Sequence, residues 1–156
     1  MTRPASGGPL HDALILRMPT IFTRIIDGDL PGTFVWKDDR CVAFLSINPL
    51  RDGHTLVVTR EEIDNWIDCP DDLRDHLFGV AQVIGRAIDM VWSPERVGVA
   101  IVGLDVPHLH VHVSPIWSTV DLDFSNAGSA GRDELESSAE AIREALRKLG
   151  AGGVSD

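Results

Sequence analysis

His108-Leu109-His110-Val111-His112-Val113 decides how this chain is read. Its polar residues are all imidazoles, and they alternate strictly with aliphatics. Successive side chains of a β-strand point to opposite faces. Leu109, Val111 and Val113 are therefore expected on a core face. His108, His110 and His112 share the other, each about 7 Å from the next. A half-buried strand does not need three histidines for stability, since any ordinary polar residue serves its outer face as well. Three imidazoles in register point instead to chemistry near neutral pH. Three readings compete. The histidines are the polar face of an amphipathic strand; or two of them chelate zinc with a ligand from elsewhere; or one attacks phosphorus while its neighbours donate hydrogen bonds to charged oxygens.

The flanking sequence supplies the rest of a domain. Ile21, Phe22, Ile25 and Ile26 have helical spacing, and Gly28 and Pro31 end that short helix. Phe34-Val35-Trp36 and Cys41-Val42-Ala43-Phe44-Leu45 read as strands joined by an Asp38-Asp39-Arg40 hairpin turn. Asn48-Pro49 and Asp52-Gly53 mark a loop, and His54-Thr55-Leu56-Val57-Val58 is a third strand. Leu73, Leu77, Val80, Ile84, Ile88 and Val91 recur every three or four residues, which predicts a long helix with a core stripe; His76 lies off that stripe and is expected in solvent. Val97 to Val102 is a nearly all-apolar fourth strand. The loop Leu104-Asp105-Val106-Pro107 then delivers the triad strand, which Pro115 is expected to end. Residues 125–132 are rich in Gly, Ala and Ser and read as a linker. A helix follows from about Asp133 to Leu149, with Leu135, Ala139, Ile142, Leu146 and Leu149 as a narrow stripe, acids in its first turn and bases in its last. That stripe is expected to pack on this chain or on a second copy.

Bulk properties narrow the function. A chain of 156 residues makes one domain with an adequate core. Acids outnumber bases 24 to 14, a net charge of −10, which argues against charge-driven binding of nucleic-acid polymers but not of a single nucleotide. Cys41 and Cys69 are far apart and form no metal-like or redox-like pair, so a reduced, cytoplasmic protein is expected. No apolar run approaches membrane-spanning length, and Ala13-Leu14-Ile15-Leu16, preceded by His11 and Asp12, is too short for a signal segment. The division expected is a flexible arm over 1–18, a domain over 19–124, and a linker with the last helix over 125–156.

The string His-hydrophobic-His-hydrophobic-His-hydrophobic resembles the signature of the histidine triad (HIT) family of nucleotide hydrolases and transferases. Thr20-Ile21-Phe22-Thr23-Arg24-Ile25-Ile26-Asp27-Gly28-Asp29-Leu30-Pro31 is similar to that family's opening segment. Residues Cys41 to Leu50 resemble its second strand and turn, and Gly53-His54-Thr55-Leu56-Val57-Val58 the next strand. The match runs in family order over roughly residues 19–118, and its opening is nearest the Hint-like, phosphoramidase branch. The resemblance implies an α+β fold with a mainly antiparallel five-stranded sheet, continued across a homodimer.

It also implies roles. The middle histidine, His110, is expected to attack the α-phosphorus of a nucleotide. His108 orients it through the backbone, His112 meets phosphate oxygens and the leaving group, and His54 faces the phosphate. Ile21, Phe22, Ile25, Phe44, Leu45, Ser46 and Ile47 are expected to line the nucleoside slot, although the apolar members serve equally well as plain core. There are departures. Ser46 stands where many relatives carry an acid or amide for the ribose hydroxyls. Asp105 falls where a Ser or Thr usually meets phosphate. Ile101, Val102 and Leu104 replace amide side chains. Thr20 and Thr23 stand where some bacterial relatives bind zinc through Cys-x-x-Cys, so neither metal nor cofactor is expected. The leading expectation is a metal-independent hydrolase of AMP derivatives acting through a nucleotidyl-histidine intermediate. The alternatives are a dinucleoside polyphosphate hydrolase, a nucleotide-binding protein with little catalysis, and a zinc protein built on His108, His110 and His54 or His112.

Overall fold

The computed structural model describes residues 18–156, so the arm expected over 1–18 lies, Met18 excepted, outside the described residues. Five strands form one antiparallel sheet: β1 (Phe34–Lys37), β2 (Cys41–Leu45), β3 (Thr55–Thr59), β4 (Arg96–Ala100) and β5 (His110–Ile116), in the order β1-β2-β3-β5-β4. Three α-helices among the described residues accompany them: α1 (Ile21–Ile26), α2 (Asp71–Trp92) and α3 (Arg132–Lys148).

Period-two alternation divides the sheet's two faces between separate clusters. Cys41, Ala43 and Leu45 of β2, Val57 of β3, and Val111 and Val113 of β5 join Leu109 and the stripes of α2 and α3 in the main core. Val42 and Phe44 of β2 and Leu56 and Val58 of β3 point the other way and pack under Phe22 of α1. Ile84, Ile88 and Ile142 are fully buried, and truncating such a residue to Ala costs about 2–5 kcal/mol. The expected stripe of α2 is buried from Leu73 to Ile88, with Val91 at its margin.

The chain after the triad strand is not a loose linker. Gly128 and Ala130 donate backbone hydrogen bonds to the carbonyls of Pro49 and Ile47, 3.1 and 3.2 Å. Helix α3 packs on α2 and β1 of its own chain. Its buried Arg143 donates to the Phe34 carbonyl, through Nε at 3.0 Å and Nη2 at 2.8 Å, beside the bulge between Phe34 and Trp36. Gly150 adopts φ 72, and the amides of Gly150 and Ala151 donate to the carbonyls of Arg147 and Leu146, each at 3.0 Å. That is a left-handed C-terminal cap of the kind glycine favours. The tail then covers the β1 edge, with Lys37 donating to Gly153 and Ser155 to Val35. β4, the other edge, has no neighbour among the described residues.

Four sequence expectations are corrected. Pro115 does not end the triad strand: pairing with β3 stops at Val113 while pairing with β4 runs on to Ile116, so the proline sits where β5 has a single neighbour and its missing N–H is tolerated. β4 runs from Arg96 to Ala100 rather than from Val97 to Val102, and its Val99 is 50% exposed at the open edge. The third strand starts at Thr55, with His54 just before it. His76 is not simply solvated, because its Nε2 lies 2.8 Å from Asp38 Oδ2. The same Asp38 accepts from the Arg40 and Cys41 amides, 2.8 Å each, and from Trp36 Nε1 at 2.7 Å, which locks the β1–β2 hairpin.

Candidate active site

Four histidines meet on the α1 face of the sheet. His110 and His112 project from β5, His54 from the end of the loop before β3, and His108 from the turn before β5. The triad is thus not one continuous strand. Pro107 has no N–H to extend the ladder, and the chain turns through His108 N to Val106 O, 2.9 Å, and Leu109 N to Ile63 O, 2.6 Å. The turn places His108 Nε2 on the buried Thr59 carbonyl at 2.5 Å and Nδ1 on Thr20 Oγ1 at 2.6 Å.

Hydrogen-bond partners determine which nitrogen of each ring carries the proton. A carbonyl only accepts, so His110 Nδ1, 2.6 Å from the His108 carbonyl, carries a proton. Its Nε2 is left as a bare lone pair. An amide N–H only donates, and Leu50 N lies 3.0 Å from His54 Nδ1, so that nitrogen is the acceptor. Neutral His54 is therefore protonated on Nε2 and donates to His112 Nδ1 at 2.9 Å. His112 in turn carries its proton on Nε2. The two rings stand 4.9 Å apart, centre to centre, one with a bare ring nitrogen and the other with an N–H.

Burial keeps the cluster neutral. His108 is 0% exposed and His110 6%. Burial, reinforced by His110, pushes His54 down to about 4. Burial, with His110 and His54 adding, pushes His112 down to about 3. Burial also lowers His108 and His110, against the opposing effect of the carbonyls each ring faces. All four rings are neutral at pH 7, each with one N–H and one bare nitrogen, the state a nitrogen nucleophile needs.

The expected nucleoside contacts separate into three groups. Phe22 and Phe44 are adjacent, 5.5 Å centre to centre, and the Phe22 ring lies edge-on to His110 at 4.8 Å. Ile25 packs against the same cluster. Ser46 lies just past Phe44; its Oγ accepts from Asn48 N at 3.3 Å. Leu45 does not belong here. Strand alternation turns it into the main core on the opposite face, so its place in the slot is withdrawn. Ile21 and Ile47 are exposed, as is Asp105.

Sequence reasoning missed three participants. Thr20 caps α1, its Oγ1 accepting from Thr23 N at 3.1 Å; a threonine before a short apolar helix is a legible cap, but its reach to His108 is not. Glu62 accepts at one oxygen from Thr20 N, 2.8 Å, and Thr23 Oγ1, 2.6 Å. Phe124 lies 4.7 Å from the His112 ring and 6.4 Å from His54, closing that side of the site. Its signal was a lone aromatic in a polar stretch.

A strand-borne histidine cluster on this sheet, roofed by a short helix, is the arrangement of one protein class. The HIT domain family model matches residues 27–116, and the chain belongs to the histidine triad family, whose members are generally nucleotide-binding hydrolases or transferases. A HIT-like protein of Saccharolobus solfataricus, itself called uncharacterized, is 30% identical over 137 residues, 83% of this chain and 99% of that one. A hypothetical histidine triad nucleotide-binding protein of Sulfolobus tokodaii superposes with a TM-score of 0.71 at 26% identity, covering 82% of this chain and 92% of that one. A zinc-bound histidine triad protein of Mycobacterium smegmatis superposes with a TM-score of 0.70 at 27% identity, covering 83% and 94%. No helix among the described residues is long and apolar enough to cross a membrane.

Proposed function

We propose that this chain is a metal-independent hydrolase of nucleoside 5′-phosphate derivatives, with AMP as the nucleotide and phosphoramidates as the preferred class. The observation that carries this is the pair of ring nitrogens, bare on His110 and protonated on His112, set by contacts to the His108 carbonyl and to His54. In the first step His110 Nε2 bonds to the α-phosphorus. The bond from phosphorus to the leaving amine breaks, and the amine departs with the electron pair and takes up a proton. His112 Nε2–H donates a hydrogen bond to the oxygens on which charge accumulates. Water then attacks phosphorus, the electron pair of the phosphorus–nitrogen bond returns to His110, and water's surplus proton is released. Phe22, Ile25 and Phe44 border the nucleoside and Ser46 faces the ribose.

A second reading, binding of purine nucleotides with little turnover, is favoured by one observation. The loop Leu104-Asp105-Val106-Pro107 before the triad carries no side-chain donor for phosphate, its Leu104 being 87% exposed and its Asp105 an exposed acid. Dinucleoside polyphosphates are the other substrate class to be tried. Cytoplasmic residence belongs to the proposal and agrees with two free thiols, Cys41 and Cys69. So does assembly as a homodimer through β4.

The test is a screen of adenosine 5′-phosphoramidate, diadenosine polyphosphates and adenylylated lysine, with and without chelator, on wild type and His110→Ala. Turnover that survives chelation, label trapped on wild-type protein, and a variant without turnover that still binds AMP within about tenfold, roughly 1.4 kcal/mol, are expected. Equal turnover by the variant would overturn the assignment.

A further inference from the structure

The ring of His108 has no hydrogen bond to His110 or His112, yet it is wholly buried and held at both of its own nitrogens. Nε2 faces the Thr59 carbonyl at 2.5 Å, so it carries the proton and neutral Nδ1 must accept. Its partner is the Thr20 hydroxyl at 2.6 Å. With its one proton spent on His108, Thr20 Oγ1 is free to accept, and it does so from Thr23 N at 3.1 Å. Thr23 spends its hydroxyl proton on Glu62 Oε1 at 2.6 Å, and the Thr20 amide donates to the same oxygen at 2.8 Å. Thr20 Oγ1 also lies 3.4 Å from Thr23 Oγ1, but the shorter contact to His108 takes its proton, and each remaining donor of this chain then has one acceptor. The Thr23 hydroxyl, outweighing burial and joined by the Thr20 amide, holds the Glu62 carboxyl below its usual range.

We infer that Thr20, Thr23 and Glu62 form a hydrogen-bonded clasp that positions His108 and, through the His108 carbonyl, the proton on His110 Nδ1. The clasp joins three places remote in sequence: the start of α1, the segment after β3, and the turn before β5. These hydroxyls do not fit a zinc ion. Zinc takes thiolate, imidazole or carboxylate donors, whereas the two hydroxyls here are neutral and already bonded to their neighbours, and no three His, Cys, Asp or Glu side chains among the described residues are grouped to hold a metal. Where the sequence resemblance leads one to expect a pair of cysteines, this chain ties the same helix end down with a carboxylate. The carbonyl of His108 cannot swing away from His110 without breaking the contacts of its own ring, and that rigidity keeps His110 Nε2 unprotonated and aimed.

The kinetic part rests on the proposed nucleophile; the spectroscopic part does not. The experiment records ¹⁵N shifts of the imidazole nitrogens in wild type, Glu62→Ala, Glu62→Gln, Thr20→Val and Thr20→Ser, with melting temperature alongside. Glu62→Ala and Thr20→Val should weaken the hydrogen bond at His108 Nδ1 and lower the fraction of His110 protonated on Nδ1. Turnover of the phosphoramidate should fall roughly tenfold in kcat with KM changed less than about twofold. Glu62→Gln keeps an accepting oxygen and Thr20→Ser keeps the hydroxyl, so both should restore the wild-type shifts. Should Thr20→Val not fold, the exposed Glu62 carries the test. Unchanged His108 and His110 shifts in Glu62→Ala would overturn the clasp, as would stoichiometric zinc in the wild-type protein. A wild type without turnover would sink the proposed function while leaving the spectroscopic result to decide the clasp.

Discussion

One backbone proton, on Leu50, sets the chemistry of a ring it does not touch. By occupying His54 Nδ1 it sends the His54 proton to Nε2 and hence the His112 proton to the outward nitrogen. The loop conformation behind this depends on Gly53, whose φ of 91 lies in the left-handed region and whose Cα faces the Trp92 ring so closely that a Cβ would stand 2.6 Å from it. Glycine is required there for both reasons. Ser46 offers the residue-scale test of ligand placement. Strand alternation puts Leu45 in the core and so turns Ser46 to the same side as Phe44. A carboxylate there accepts from both ribose hydroxyls, and bonds to a charged acceptor are worth about 1.5–3 kcal/mol against roughly 1 for a neutral one. Ser46→Asp should therefore tighten AMP severalfold and leave 2′,3′-dideoxy-AMP unimproved. Calorimetry with both ligands checks it, and an equal change for both would mean that Ser46 does not face the ribose.

At the scale of elements, the parts legible in the sequence were those set by local pattern. β2 runs from Cys41 to Leu45 as the apolar run predicts, the stripe of α2 is buried in its expected order, and Leu109, Val111 and Val113 enter the core as alternation demands. What escaped depends on partners far along the chain. His108 leaves the strand for Thr59 and Thr20. Val97 to Val102 reads as one apolar strand, but the strand stops at Ala100 and Val99 is exposed on its open edge. Residues 125–132 read as a linker because their anchors, the carbonyls of Ile47 and Pro49, are in the loop after β2, and residues 117–124 are held from the same loop. Composition cannot show that Arg51 Nε meets Asp121 Oδ1 at 3.2 Å, or that Asp121 Oδ2 also accepts from the Trp117 amide at 2.7 Å. That segment carries Phe124 onto His112, and it has its own consequence. With the aromatic wall gone, the leaving-group side opens while the nucleoside side is untouched. Phe124→Ala should therefore change KM severalfold for phosphoramidates with bulky apolar amines and little for the parent phosphoramidate. Steady-state kinetics across such a series measures this, and a uniform change would mean that Phe124 does not border the leaving group.

The whole molecule presents one open sheet edge and one acid-sensitive centre. Phe78 and Met90 of α2, Val99 of β4 and Leu149 beyond α3 are all substantially exposed around a groove of about 760 Å³ beside β4. An apolar strand edge of this kind is a pairing surface. Light scattering at micromolar concentration should give twice the chain mass of 17.0 kDa, and a value near the single-chain mass would remove the homodimer from the proposal. At fixed protein concentration, so that dimerisation does not move the baseline, the buried histidines should make stability depend on pH. An unfolded histidine titrates near 6.5. In the folded protein His54 is held down to about 4 and His112 to about 3. Above about pH 6.5 both states are neutral and the pair contributes no slope. Below it the unfolded chain takes up protons that the folded chain refuses, so stability falls as pH falls, by about 1.4 kcal/mol per unit per histidine. Unfolded carboxylates titrate near pH 4, so the interval from pH 6.5 to 5 belongs to the histidines. Urea unfolding at pH 7, 6 and 5 should show a midpoint constant at first and then dropping. Replacing His54 and His112 together by glutamine should make the drop shallower, the remainder coming from His108 and His110, which burial also lowers. The same slope in wild type and double variant would show that these two rings are not the groups kept neutral by folding.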